Sequence, residues 1–297
     1  MLPLPPTPLV RLGNLFPEHP VFAKCEFLAP SGCFKIRGAV HLIESLIRED
    51  RRPELIVPSS GNTAVGAAVA AKALGFRMVG VVPETIARAK DDKLRALGVE
   101  LVKITGGGSE LLRRATELAQ ERGGYFVHPH LDPLWTDGYQ SIAAEIHDLL
   151  PSCRSIVLPV GGGGLLMGLA KQLTASPACP RLFGCEPYSY PKYAQFDHSR
   201  GKTIADGLVL EFPHPAVQQV IAERRISISL VAEADIRRAL AALYETQGLI
   251  VEPSSAITLA FVMNHLDELN GPICVILTGE NIAREDHTKL CQSEPGS

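Results

Sequence analysis

The chain has 297 residues, 46% of them apolar and 21% charged, with a formal net charge of −3. That length suits two domains, and that composition suits an ordinary globular protein with full cores rather than a disordered or fibrous chain. Arg51-Arg52 and Arg113-Arg114 are isolated basic pairs, so the charge pattern lacks a nucleic-acid footprint.

In chain order, the opening Met1-Leu-Pro-Leu-Pro-Pro-Thr-Pro8 has neither a basic start nor a continuous apolar run, and does not read as a secretory signal. From about residue 55 onward, strand, turn and helix alternate. Leu55–Val57 is a short apolar run that stops at Pro58-Ser-Ser-Gly-Asn62. Ala64–Leu74 is almost wholly small and apolar, which predicts a buried helix with Gly75 just past its end. Arg77–Val82 follows as a strand, Thr85–Leu97 as a polar-faced helix ended by Gly98, and Leu101–Ile104 as a strand. Gly106-Gly-Gly108 reads as a turn before a helix capped by Ser109 and running to about Arg122. Tyr125–Val127 closes this first series.

A second series starts near Asp137 with a helix to about Leu150. Ser155–Val160 is a buried strand ending in Gly161-Gly-Gly-Gly164. A helix over Leu165–Leu173, a strand over Arg181–Cys185, helices near Asp235–Tyr244 and Ser254–Leu269, and a strand over Ile273–Leu277 follow. The last dozen residues are polar and read as a frayed end. Strands alternating with helices predict an α/β fold of two open parallel-sheet domains, with a ligand in the cleft between them.

The uncharged stretch Ser155–Ala170 contains a proline and four consecutive glycines, too short and too glycine-rich for a membrane span. Seven cysteines, odd in number and without a CxxC pair, read as thiols of a reducing compartment, the cytoplasm. His128-Pro-His130 lacks a third ligand at a recognised spacing, so no metal site is read there.

Three polar, glycine-containing turns stand directly after predicted strands: Ser59-Ser-Gly-Asn62, Gly161–Gly164 and Thr278-Gly-Glu-Asn281. Ligands of open parallel sheets bind at the carboxyl ends of strands, and a bare glycine turn opening a helix suits an anion. Taken alone, that turn is a weak signal, since glycine turns between strand and helix are common for packing reasons.

The segment Pro30-Ser-Gly-Cys-Phe-Lys35-Ile-Arg-Gly-Ala39 resembles the cofactor-lysine motif of the fold type II pyridoxal-phosphate (PLP) enzymes, the tryptophan synthase β-like superfamily. Ser59-Ser-Gly-Asn-Thr63 is similar to that family's substrate-carboxylate loop, and Gly161–Gly164 to its phosphate cup. Cys185-Glu-Pro187, Ile204-Ala-Asp-Gly207 and Val251-Glu-Pro-Ser-Ser255 follow in the family's order. Thr278–Asn281 resembles the turn that meets the pyridine nitrogen. Within the superfamily, Lys24-Cys-Glu26 together with Phe34–Ala39 is most similar to serine racemase and the serine/threonine dehydratases.

The resemblance implies PLP as cofactor, held by Lys35, Phe34, Asn62, Gly161, Gly162, Gly163, Gly164, Leu165 and Thr278. It implies that Ser59, Ser60, Gly61 and Thr63 take the carboxylate of a small amino-acid substrate. Taken alone, Lys35 reads as a surface lysine beginning a helix, and Asn62 as a helix N-cap. In the full set, Lys35 attaches the cofactor and then moves the substrate's α-proton. Ser60 is a second catalytic candidate, because it stands where serine racemase has its far-face acid/base.

Some residues depart from the pattern. Cys33 stands where the family usually has serine, and Thr63 where dehydratases usually have histidine. Thr278 stands where dehydratases usually have serine, and as a neutral hydroxyl it leaves the cofactor ring a weaker electron sink. Serine racemase-like enzymes bind a divalent ion through a glutamate and an aspartate six residues on. Here these positions hold Glu186 and Lys192, so an ammonium stands in for the ion or the lysine lies in a surface loop.

The resemblance also places a large PLP-binding domain at 1–36 and 134–297 and a small substrate-loop domain at 37–133, in a cytoplasmic homodimer. It implies β-elimination from a small L-hydroxyamino acid such as serine or threonine. A β-replacement reaction of the cysteine synthase or threonine synthase kind is the alternative, and racemisation the third.

Overall fold

Short apolar runs build two separate sheets in the computed structural model, which describes residues 2–128, 130–173, 179–195 and 201–292. In chain order the strands are β1 (Leu9–Arg11), β2 (Val21–Cys25), β3 (Leu55–Val57), β4 (Met78–Pro83), β5 (Glu100–Ile104), β6 (Tyr125–Phe126), β7 (Ser155–Pro159), β8 (Arg181–Pro187), β9 (Ser227–Val231) and β10 (Ile273–Leu277). One sheet runs β5-β4-β3-β6, all parallel. The other runs β1-β2-β10-β7-β8-β9, parallel except for β1 at its edge. The α/β class with parallel sheets is therefore as the sequence predicts.

The chain divides into two compact units, Met1–Pro5 with Ala29–Ser141, and Pro6–Leu28 with Ile142–Ser297. The sequence reading drew its borders at 36/37 and 133/134, eight residues later and earlier respectively. The difference has a packing cause inside the first unit. Helix α1 (Lys35–Arg48) packs along α2 (Asn62–Leu74), so residues 29–36 stay with the small sheet. The Arg37 guanidinium donates to Ser141 Oγ at 3.1 Å, which ties in the chain up to 141.

The first unit continues with α3 (Arg88–Ala96), α4 (Gly108–Arg122) and the single turn α5 (Pro133–Thr136). Gly75 ends α2 in the left-handed region at φ 71°, as its position predicts. Two caps differ from expectation. Gly107 rather than Ser109 caps α4, because Glu110 Oε2 accepts the Gly107 N–H at 2.9 Å. Gly61 rather than Asn62 caps α2, which leaves Asn62 as the first helical residue. The helix predicted over Thr85–Leu97 starts only at Arg88.

The second unit carries α6 (Gln140–Leu149), α7 (Gly164–Gln172), α8 (Pro215–Arg224), α9 (Glu233–Gln247), α10 (Pro253–His265) and α11 (Arg284–Gln292). Its core is centred on α10, buried on every face from Pro253 to Val262, against Val157, Phe183, Leu240 and Val275. Where a frayed end was expected, α11 forms through residue 292, and 293–297 lie outside the described residues. No helix of the described residues is long and apolar enough to cross a membrane.

Strand β2 carries a lysine in its buried centre. Lys24 is fully buried, and burying an ammonium is tolerable only with charge and hydrogen-bond partners. Its Nζ donates to Thr7 O at 2.9 Å and pairs with Glu145 at 2.5 Å and Glu26 at 3.2 Å.

Candidate active site

In the first unit, the Ala29–Phe34 segment turns on Gly32, at φ 73°, and delivers Lys35 to the first position of α1. Lys35 is half-buried. Its Nζ lies 4.9 Å from the Phe34 ring centre and 5.9 Å from that of Tyr139, two rings themselves 4.9 Å apart. Tyr139 is fully buried, its hydroxyl accepts the Trp135 indole N–H, and burial pushes the phenol well above its ordinary range. Gly66 on α2 allows this arrangement. A Cβ there would stand 2.9 Å from the Lys35–Ile36 backbone, so the helices meet at glycine directly under the lysine.

The loop between β3 and α2 lies against the same segment. Cys33 Sγ is 3.7 Å from Asn62 O, and Ser59 Oγ accepts the Gly61 N–H at 3.2 Å. Ser59, Ser60, Gly61 and Asn62 are half-exposed, while Thr63 is buried in the first helical turn. The unit thus brings the lysine, Phe34 and the serine-asparagine loop together at the carboxyl end of β3.

In the second unit, β7 runs into Gly161–Gly164. Gly163 sits at φ 85° as the N-cap of α7, and a Cβ on it would stand 2.5 Å from both methyls of Val217. A Cβ on Gly161 would meet Gly207 O at 3.2 Å. Leu165 is buried behind the turn. Strand β10 pairs with β7 in parallel, so Thr278 emerges at the same carboxyl end of the sheet as the glycine turn. Its hydroxyl is buried and lies 3.0 Å from Ser255 Oγ, which also accepts the Gly279 N–H at 2.7 Å. Beside it, Ser254 Oγ accepts the Gly207 N–H at 3.1 Å, which joins the Ile204–Gly207 and Val251–Ser255 motifs. Ser255, which the sequence does not single out as a candidate site residue, is the hydrogen-bond partner of Thr278. Its place inside a quoted motif was the available signal.

The pyridoxal-phosphate dependent enzyme family model matches residues 1–279. The chain belongs to that family. It is 34% identical to the L-threonine ammonia-lyase of Geobacter sulfurreducens over 89% of this chain and 67% of that protein. The structure of the processed form of threonine deaminase isoform 2 from Solanum lycopersicum matches with a TM-score of 0.88 and 27% identity, over 97% of this chain and 82% of that one. Maize serine racemase matches with a TM-score of 0.86 and 25% identity, over 96% and 91%.

The residues of this PLP-dependent enzyme fit the cofactor. An amine stands half-exposed at the start of α1. A turn without side chains opens α7, whose first-turn N–H groups have no partner within the helix and whose dipole favours an anion. A buried hydroxyl, suited to a ring nitrogen, stands one strand over.

Proposed function

We propose that the protein is an ammonia-lyase, which eliminates the β-hydroxyl of a small L-hydroxyamino acid such as serine or threonine and releases a 2-oxo acid and ammonia. The likeness to the Geobacter L-threonine ammonia-lyase carries elimination ahead of β-replacement. The neutral Ser255–Thr278 hydroxyl pair supports it from the site itself, because PLP paired with a hydroxyl stabilises negative charge less well than PLP paired with a carboxylate. Such a site would favour loss of the β-group over prolonged charge at the α-carbon.

In this reading the cofactor is PLP. Lys35 attaches it and Phe34 and Asn62 line it, while Gly161–Gly164 and Leu165 take its phosphate and Thr278 its ring nitrogen. Ser59, Ser60, Gly61 and the Thr63 N–H hold the substrate carboxylate. Lys35 removes the α-proton, the hydroxyl leaves with a proton as water, and the released unsaturated amine takes up water to yield ammonia and the 2-oxo acid. The protein acts as a cytoplasmic homodimer, a reading that rests on the family resemblance and on seven cysteines without a disulfide among the described residues.

Ser60, half-exposed on the loop, keeps racemisation as a second reading, favoured by the likeness to maize serine racemase. A substrate panel separates these outcomes. Holoenzyme is given L-serine, L-threonine and O-acetyl-L-serine, the last with and without sulfide, and 2-oxo acid, ammonia, thiol and D-amino acid are measured. Elimination predicts 2-oxo acid with ammonia from a hydroxyamino acid. Thiol formation alone, or D-amino acid alone, would overturn it.

A further inference from the structure

Strand β8 ends in Cys185-Glu186-Pro187, and its neighbour β7 leads directly into the glycine turn. Glu186 therefore stands one strand from that turn, and its carboxylate is fully buried. Three successive backbone N–H groups converge on Glu186 Oε2, from Lys192 at 3.1 Å, Tyr193 at 3.0 Å and Ala194 at 3.1 Å. Lys192 Nζ, itself fully buried, lies 3.2 Å from Oε1. The loop after β8 thus folds its own cation onto the carboxylate. Removing one partner of such a buried pair typically costs several kcal/mol, because the other charge stays behind.

The loop connects to the glycine turn through named contacts. The His214 N–H donates to the Tyr193 hydroxyl at 3.1 Å, and His214 is the N-cap of α8. One turn into α8, Val217 fills the space facing Gly163.

A divalent ion of the kind bound by serine racemase-like enzymes does not fit here. Calcium or magnesium would sit about 2.0–2.6 Å from a Glu186 oxygen and would need several further oxygen ligands. Lys192 places a positive charge against that carboxylate instead. Among the described residues no cluster of three His, Cys, Asp or Glu side chains offers a metal site. We propose that Lys192 is a built-in cation that makes this enzyme independent of divalent metal and positions the glycine turn through Tyr193 and α8. Lys192 is a positioning residue and touches no reacting atom.

The inference rests on Gly161–Gly164 as the phosphate turn, so the test reads the ion pair and the turn separately. Thermal stability and equilibrium PLP affinity are measured for the wild type, Lys192→Met and Lys192→Asp, each in EDTA, in MgCl2 and in CaCl2. The wild type should give the same values in all three. Lys192→Met should lose stability and bind PLP roughly tenfold more weakly in every condition. Lys192→Asp should be weakened in EDTA and regain stability and PLP affinity in one or both metal salts, a response that a merely space-filling lysine would not produce.

The proposal is overturned by a wild type whose stability falls in EDTA, or by a folded Lys192→Met variant with unchanged stability and PLP affinity. A Lys192→Asp variant indifferent to both ions overturns it as well. Gly163→Ala separates the two failures. If that variant binds PLP normally, the phosphate-turn reading is wrong. If it binds weakly while Lys192→Met binds normally, the positioning role alone is wrong.

Discussion

A hydroxyl placed beside a pyridine nitrogen would donate a hydrogen bond to it but bring no charge, and the hydroxyl proposed for that place, Thr278, is oriented by a second one. Thr278 Oγ1 and Ser255 Oγ are 3.0 Å apart in a buried site, and Ser255 is fixed in turn by the Gly279 backbone. Thr278→Asp would place a carboxylate there and favour a protonated nitrogen. One pKa unit corresponds to about 1.4 kcal/mol, and a buried ion pair can shift the nitrogen by more than that. In the folded, PLP-loaded variant, the ratio of 2-oxo acid formed to solvent deuterium incorporated at the α-carbon should fall. An unchanged ratio would remove Thr278 from the ring nitrogen. Thr278 and Ser255 both stand in motifs visible in the sequence, whereas the hydrogen bond between them became visible only when α10 and the end of β10 were packed together.

Packing of elements sets the two glycines that matter most. Gly66 lets α2 touch α1 at Lys35, and Gly66→Ala should push the Lys35–Ile36 backbone, against which its Cβ would stand 2.9 Å away. Overpacking of this kind costs about 1–3 kcal/mol, so a lower melting temperature with kcat reduced more than KM is expected. Equal kcat would show that the lysine tolerates the shift. Gly163→Ala faces both an unfavourable φ of 85° and contact with Val217, and should weaken PLP affinity measured by equilibrium titration.

The same scale explains what the sequence could and could not show. The apolar runs of β3, β7 and β10 are wholly buried and were readable as strands. Strand β2 was not, because buried Lys24 breaks its apolar pattern and one of its two ion partners, Glu145, comes from elsewhere in the chain. Strand β9, buried only at Val231, and helices α8 and α11, with one buried residue each, carry no continuous apolar face that marks them in the sequence. The cap of α4 was missed because the Glu110 carboxylate, rather than the Ser109 hydroxyl, satisfies the helix start.

At the scale of the whole molecule, two histidines of the second unit, His287 buried and His214 half-buried, predict a pH dependence of its stability. Burial holds His214 and His287 below the ordinary histidine value of 6.5. The unfolded chain then binds protons more readily than the folded one, so their contribution to stability is present above 6.5 and is lost as pH falls below it. Melting temperature should drop between about pH 7 and pH 5, and His287→Gln should flatten that drop. An identical slope in the variant would assign the effect elsewhere.

The family resemblance was legible across both units because its motifs are short and contiguous, four of them at the ends of β3, β7, β8 and β10 and two at the starts of α1 and α10. The reaction itself is tested most directly by stoichiometry. The amounts of 2-oxo acid and ammonia formed per L-threonine or L-serine consumed should both equal one for the PLP-loaded wild type. The rate of product formation should fall by about a thousandfold or more for a folded Lys35→Ala variant. Amino acid consumed without 2-oxo acid, or substantial turnover in Lys35→Ala without an added amine, would contradict the account.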